Sequence, residues 1–159
     1  MQGTRIGVDI GKVLIGGGGP NDTPFLGTTD AMAMDAPEVP GSFEGVAELV
    51  ELTGGAVWLV SKCGSGIERR TQLWLEHHDF WDATGVPREH AVFCRERREK
   101  APIARRLGLT HFVDDRADVL EPMAGVVEHR YLFGAAQSPE GLTATPSWEA
   151  VLREVRTTL

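Results

Sequence analysis

An α/β domain, with a central mainly parallel sheet and helices on both faces, follows from three observations. Short apolar runs alternate with segments of helical spacing along most of the chain. The run Ala56-Val57-Trp58-Leu59-Val60 is apolar throughout and bounded by Gly55 and Ser61, as in a strand buried on both faces. Several runs end in a polar or charged residue just before a helix, where open parallel sheets bind their ligands.

Residues 4–10 alternate and then run apolar, giving a first strand that carries Asp9 near its end. Residues 15–41 are rich in Gly, Pro, Asp and Thr, with Gly16 to Gly19 consecutive, and read as a loop or flap. A loop of that length inside a compact domain is usually functional. Ser42 is expected to cap a helix with apolar positions at Val46, Leu49, Val50 and Leu52, although Ser42-Phe43-Glu44-Gly45 lacks a strict capping box. Gly54-Gly55 stops that helix, and the second strand (56–60) follows. Helical spacing returns over 64–79 through Ile67, Leu73, Trp74 and Leu75, and Ala91-Val92-Phe93-Cys94 is a third strand. Lys100 to Leu107 is a helix ended by Gly108, and His111-Phe112-Val113 runs into Asp114-Asp115 as a fourth strand. A short helix (117–123), a fifth strand (125–132) and a final helix capped by Ser147 complete the pattern, which does not fix the strand order. Trp58 and Trp74 read as core, Trp81 and Trp148 as partly exposed.

At 159 residues the chain is most simply one domain, long enough for a substantial core. Acidic residues outnumber basic ones 23 to 16, a net charge of -7, which disfavours a nucleic-acid backbone as partner. A small phosphorylated metabolite or nucleotide needs only a local positive pocket and stays compatible. Cys63 and Cys94 form no CxxC pair, so a disulfide framework or zinc site is not expected and a reducing cytoplasm fits. No apolar signal core opens the sequence, and no segment approaches the ~20 apolar residues that span a membrane. The expectation is a cytoplasmic protein with no membrane contact.

Four positions carry chemistry. Asp9 at the end of the first strand can attack phosphorus and form an aspartyl-phosphate. Asp9 with Asp114 or Asp115 offers the hard oxygen ligands that Mg²⁺ requires. The Ser61 hydroxyl and the backbone N–H groups of Cys63 to Ser65 can hold phosphate oxygens, while Ser61 can equally be a helix cap. Lys100 can offset charge on a transferring phosphoryl group, although Arg95-Glu96-Arg97-Arg98-Glu99-Lys100 also reads as a solvated charge run. Gly16 to Gly19 lack the Gly-Lys-Ser/Thr ending of a nucleotide P-loop and read as a hinge. His77-His78 reads as packing or surface, Cys63 as an inert thiol, and Asp118 as a supporting acid or a surface residue.

In Val8-Asp9-Ile10-Gly11-Lys12-Val13-Leu14, Leu59-Val60-Ser61, Lys100 with Leu107-Gly108, and Phe112-Val113-Asp114-Asp115, the chain resembles the haloacid dehalogenase superfamily of phosphatases. The resemblance implies a Rossmann-like three-layer domain and a Mg²⁺-dependent phosphatase with Asp9 as nucleophile. It places Ser61, Lys62, Lys100 and Gly11 at the phosphate, and Asp9, Asp114, Asp115 and the Gly11 carbonyl at the metal. Many relatives insert a cap domain. Here 15–41 are too few for one and 62–99 hold a helix and a strand, so the resemblance implies a capless member covered by a flap or by a neighbouring subunit of a homo-oligomer.

Most relatives also carry a second Asp two residues after the nucleophile as general acid, and this chain has Gly11 there. Such an acid is typically worth 10²–10⁴-fold. Three readings stay open: a substrate with a good leaving group, a replacement acid (Lys12, Asp22 or Asp30), or weak catalysis. Some relatives with Asp-x-Gly at this place look like working phosphatases. The alternative function is a phosphate- or nucleotide-binding module with little or no turnover. A dehalogenase attacking carbon needs no magnesium, and Asp114-Asp115 argues against it.

Overall fold

The computed structural model describes residues 3–17 and 26–159; Asp22 and part of the polyglycine lie outside the described residues. The strands are β1 (Ile6–Val8), β2 (Val57–Lys62), β3 (Ala91–Cys94), β4 (His111–Asp114), β5 (His129–Phe133) and β6 (Thr143–Thr145). They form one sheet in the order β3-β2-β1-β4-β5-β6, with every neighbouring pair parallel. The helices are α1 (Asp30–Met34), α2 (Ser42–Thr53), α3 (Ser65–His77), α4 (Phe80–Thr84), α5 (Lys100–Leu107), α6 (Ala117–Leu120) and α7 (Trp148–Arg156). The strand order reverses around β1, so the crevice between the carboxyl ends of β1 and β4 is the ligand position of a Rossmann-like sheet.

Side-chain alternation divides the core in two. Ile6, Val8, Val57, Leu59, Val113, Tyr131 and Phe133 pack with Val46, Leu49, Trp74, Phe80 and Val151 from α2, α3, α4 and α7. Trp58, Val60, Phe112 and Leu132 face the other way, onto Ala104 of α5 and Val119 and Leu120 of α6. Gly7 belongs to this second face, and a Cβ there would lie 2.8 Å from the Phe112 ring and 2.6 Å from Leu109. Gly54 and Gly108 end α2 and α5 in the left-handed conformation that glycine adopts without steric cost. No helix among the described residues is long and apolar enough to cross a membrane.

Several expectations need correction. Residues 26–41 are not a bare loop: α1 forms within them, capped by Thr29, whose hydroxyl accepts from Met32 N at 3.1 Å. This arm is fastened to α3. The Trp74 indole donates to the Ala36 carbonyl at 2.9 Å, His78 Nε2 meets the Met34 carbonyl at 2.9 Å, and Arg70 donates to the Thr28 carbonyl at 2.9 Å. Ser42 does not cap α2; Gly41 does, and the buried Ser42 hydroxyl donates instead to the Leu14 carbonyl at 3.2 Å. The helix expected over 64–79 stops at His77, Asp79 turns the chain at φ 54°, and α4 resumes at Phe80. The fifth strand starts at His129, not 125, and β6 is an added edge strand of three residues with no apolar run to announce it. Trp81 and Trp148 are buried, because the arm and α7 close over the first face of the sheet.

Candidate active site

Asp9 sits one residue beyond β1, and its amide donates to the Val113 carbonyl at 2.9 Å, extending the β1–β4 pairing. Val8 is registered with Val113, so Asp9 and Asp114 follow side by side at the same edge. Immediately after, the amides of Val13, Leu14 and Ile15 all converge on the Ile10 carbonyl, and the four side chains involved are fully buried. The turn is pinned from outside: Trp148 Nε1 donates to the Val13 carbonyl at 2.9 Å, and Val39 N donates to the Leu14 carbonyl at 2.8 Å. A side chain held this way loses little orientation freedom to its own loop.

Lys100 opens α5 from within the charge run. Glu96 and Glu99 form a reciprocal capping box, and Glu99 Oε1 also accepts from Arg95 N at 3.1 Å. That local folding turns Lys100 inward, where it is only 3% exposed; the run is not a uniformly solvated face. Lys100 Nζ donates to Asp9 Oδ1 at 3.0 Å and to Asp114 Oδ2 at 2.8 Å. The other Asp114 oxygen accepts from Arg116 N at 3.0 Å, an Asx-type turn that fixes the carboxylate plane. Asp9, Asp114 and Asp115 each present an oxygen within 4.8 Å of the others, the one such acidic group among the described residues.

Burial makes these charges costly. Desolvation pushes Asp9 up to about 6 against the lowering pull of Lys100, and Asp114 up to about 7, with Asp9 adding repulsion. Asp115 is raised by burial and then by Asp114. Burial would lower Lys100, but the Asp9 and Asp114 carboxylates more than offset it and hold the ammonium firmly protonated. Three carboxylates around one ammonium leave a charge of about -2 when all are ionised, in a pocket of hard oxygen donors. This donor set fits a divalent cation such as Mg²⁺.

The other expected residues are distributed around this centre. Ser61 is buried in β2, two positions beyond the registered pair Val8–Leu59, and α3 is capped by Gly64, so Ser61 is not its cap. The Cys63 amide is committed to the Cys94 carbonyl at 2.9 Å and is not free for a phosphate. Lys62 is the exposed last residue of β2, and Gly11 bridges to Ile15 at the start of the Asp9 turn. Lys12 is exposed in a left-handed conformation, φ 66°. Asp30 lies on α1, in ion pairs with Arg69 at 2.8 Å and Arg70 at 3.2 Å, and so is held on α3. Asp118 pairs with Arg116 at the surface. His78 stacks on Trp74, and burial raises the Cys63 thiol, in keeping with packing and an inert sulfur. Two features lie beyond the expected site residues: the Glu96–Glu99 box, readable as an acidic pair three apart before a helix, and the hold of Trp148 on the Val13 carbonyl, a long-range contact no local signal carries.

No protein-family model matches the chain, and no curated protein matches it in sequence. Its structure is similar to that of D,D-heptose 1,7-bisphosphate phosphatase from B. bronchiseptica complexed with magnesium and phosphate: TM-score 0.69, 16% identity, 98% of this chain and 99% of that one. It is also similar to a haloacid dehalogenase-like family hydrolase from Xanthomonas campestris, with TM-score 0.68, 13% identity, and coverage of 99% and 96%. Likeness at this identity is likeness of fold. The chain has the three-layer α/β fold of haloacid dehalogenase-like hydrolases over nearly its whole length, with no cap domain among its described residues.

Proposed function

We propose that this protein is a Mg²⁺-dependent phosphatase that hydrolyses a small phosphorylated compound, a phosphomonoester, through an aspartyl-phosphate on Asp9. The observation that carries this reading is the bridge from Lys100 Nζ to Asp9 at 3.0 Å and to Asp114 at 2.8 Å, with Asp115 in ligand reach of both carboxylates. In this scheme Asp9, Asp114, Asp115 and the Gly11 carbonyl hold the cation, which supplies charge neutralisation at the transferring phosphoryl group. Asp9 attacks phosphorus with the carboxylate oxygen not held by Lys100. Lys100 keeps Asp9 ionised against its burial and stabilises charge on the equatorial phosphoryl oxygens. Ser61 and Lys62 orient the phosphate from β2. Water then attacks the aspartyl-phosphate and restores the Asp9 carboxylate.

The phosphatase among the similar structures supports the substrate class as an analogy of fold. Gly11 favours one second reading, a phosphate- or nucleotide-binding module with little turnover. Phosphate release from 4-nitrophenyl phosphate, with and without Mg²⁺, separates the two. The phosphatase reading expects metal-dependent turnover that Asp9→Asn abolishes; equal release by wild type and Asp9→Asn refutes the nucleophile.

A further inference from the structure

In the superfamily this chain resembles, the side chain two residues after the nucleophile protonates the departing group, and Gly11 supplies none at that position. Most proton donors among the described residues stand elsewhere or are already engaged. Of the five imidazoles, His111 and His129 open β4 and β5, and His90 precedes β3 with Nδ1 on the Val57 carbonyl at 2.9 Å. These positions lie at the amino edge of the sheet, opposite Asp9. His77 and His78 close α3, which runs from the carboxyl edge toward that same far edge.

Several acidic side chains on the near rim are engaged by a cation or by backbone amides. Asp30 is paired with Arg69 and Arg70, Asp118 with Arg116, and Glu68 with Arg95 at 2.8 Å. Glu99 takes the amides of Arg95 and Glu96, the latter at 2.8 Å, and Glu96 pairs with Arg98. The arginine partners hold Asp30 and Asp118 below the usual carboxylate range. A carboxylate kept ionised has no proton to give. Lys100 directs its N–H groups at Asp9 and Asp114, and Lys12 stands in solvent.

We infer that the substrate carries its phosphate on an oxygen that leaves as a stable anion without protonation: a carboxylate, as in an acyl phosphate, or a second phosphate, as in a diphosphate. This inference rests on the phosphatase reading and narrows its substrate class. In the first step an Asp9 oxygen bonds to phosphorus while the bond to the leaving oxygen breaks, and its electron pair departs with a carboxylate or phosphate. No proton is required. In the second step water bonds to phosphorus, the bond to Asp9 breaks, and the water proton ends on the released phosphate, which equilibrates with solvent.

The test is a leaving-group series on the full chain with Mg²⁺: acetyl phosphate, pyrophosphate, 4-nitrophenyl phosphate, phenyl phosphate and glycerol 1-phosphate. The expected result is kcat/KM for the alkyl ester lower than for acetyl phosphate or pyrophosphate by about 10²–10⁴-fold, the usual worth of a general acid. Whichever of those two anhydrides is faster identifies the leaving anion. Gly11→Asp is expected to flatten the dependence on leaving-group acidity; if that variant does not fold, the wild-type series stands alone. Alkyl and acyl substrates turned over within tenfold of each other would overturn the inference. So would Asp22→Asn or Glu38→Gln removing alkyl activity selectively, since either would then be the acid. If no donor gives Mg²⁺- and Asp9-dependent release, the phosphatase reading fails and the substrate inference falls with it.

Discussion

Replacing Lys100 with methionine keeps most of the side-chain volume and removes the ammonium between two buried carboxylates. Lys100 Nζ lies 3.0 Å from Asp9 and 2.8 Å from Asp114. At an effective dielectric of 20, each contact is worth about 5–6 kcal/mol of Coulomb attraction, against a desolvation cost of several kcal/mol for the ammonium. Breaking such a buried arrangement from one side typically costs about 3–5 kcal/mol, because the remaining charges lose their compensation. The cost must depend on pH. Asp9 and Asp114 already stand at about 6 and about 7, above the ordinary 3.8, and losing Lys100 raises both further. A carboxylate raised in the folded state contributes stability below its unfolded value and loses it as pH rises through the folded value. Lys100→Met is therefore expected to lose about 3 kcal/mol or more at pH 7.5 in metal-free buffer, and visibly less at pH 5.5, where the pair takes up protons. Urea unfolding of both proteins at the two pH values measures this. A variant as stable as wild type at pH 7.5, or a loss that does not shrink on acidification, would refute the electrostatic account.

Other consequences follow from the same contacts and from the packing. Mg²⁺ is expected to stabilise the protein by about 2.7 kcal/mol at a hundredfold excess over Kd, more at pH 8 than at pH 5, read as a shift in Tm. Asp115→Asn should raise the Tm of the metal-free protein by relieving repulsion from Asp114, and should reduce the magnesium increment; an unchanged increment would exclude Asp115 as a ligand. Gly45 lies within α2, and a Cβ there would come 2.5 Å from Cε3 of the buried Trp148 ring. Gly45→Ala gains about 1 kcal/mol of helix propensity yet should lower stability by a net 1–2 kcal/mol, since overpacking a rigid contact costs more. A stabilised variant would show that Trp148 can move. Burial, and then His129, lower His111 to about 4, so its contribution is present above about 6.5 and is lost as pH falls toward 4. His111→Gln should therefore flatten the acid limb of the stability curve, by on the order of 1–2 kcal/mol; an unchanged limb would place that titration elsewhere.

What could be read in the sequence was whatever a local pattern encodes. Five of the six strands and the β–α alternation show in the sequence as apolar stretches, and those of β1 and β4 lead into the carboxylates Asp9 and Asp114. Lys100 was legible as a helix start, but its burial was not, since the same six residues fit a solvated face until Glu96 and Glu99 lock the preceding turn. The arm over 26–41 looked like a loop because its hydrogen bonds run to Arg70, Trp74 and His78 of α3, about forty positions away. β6 escaped because Thr143-Ala144-Thr145 is short and lies at the sheet edge, where pairing with β5 decides its conformation. The burial of Trp148 has no local signature because its partner, the Val13 carbonyl, is 135 residues distant.

A crystal of the protein grown with Mg²⁺ and beryllium fluoride, a mimic of the aspartyl-phosphate, tests the central claim most directly. The account expects the beryllium on Asp9, a cation at about 2.0–2.1 Å from Asp9 and from Asp114 or Asp115, and Lys100 and Ser61 in hydrogen-bond contact with the fluorides. A cation bound away from this cluster, or fluoride density with no bond to Asp9, would contradict it.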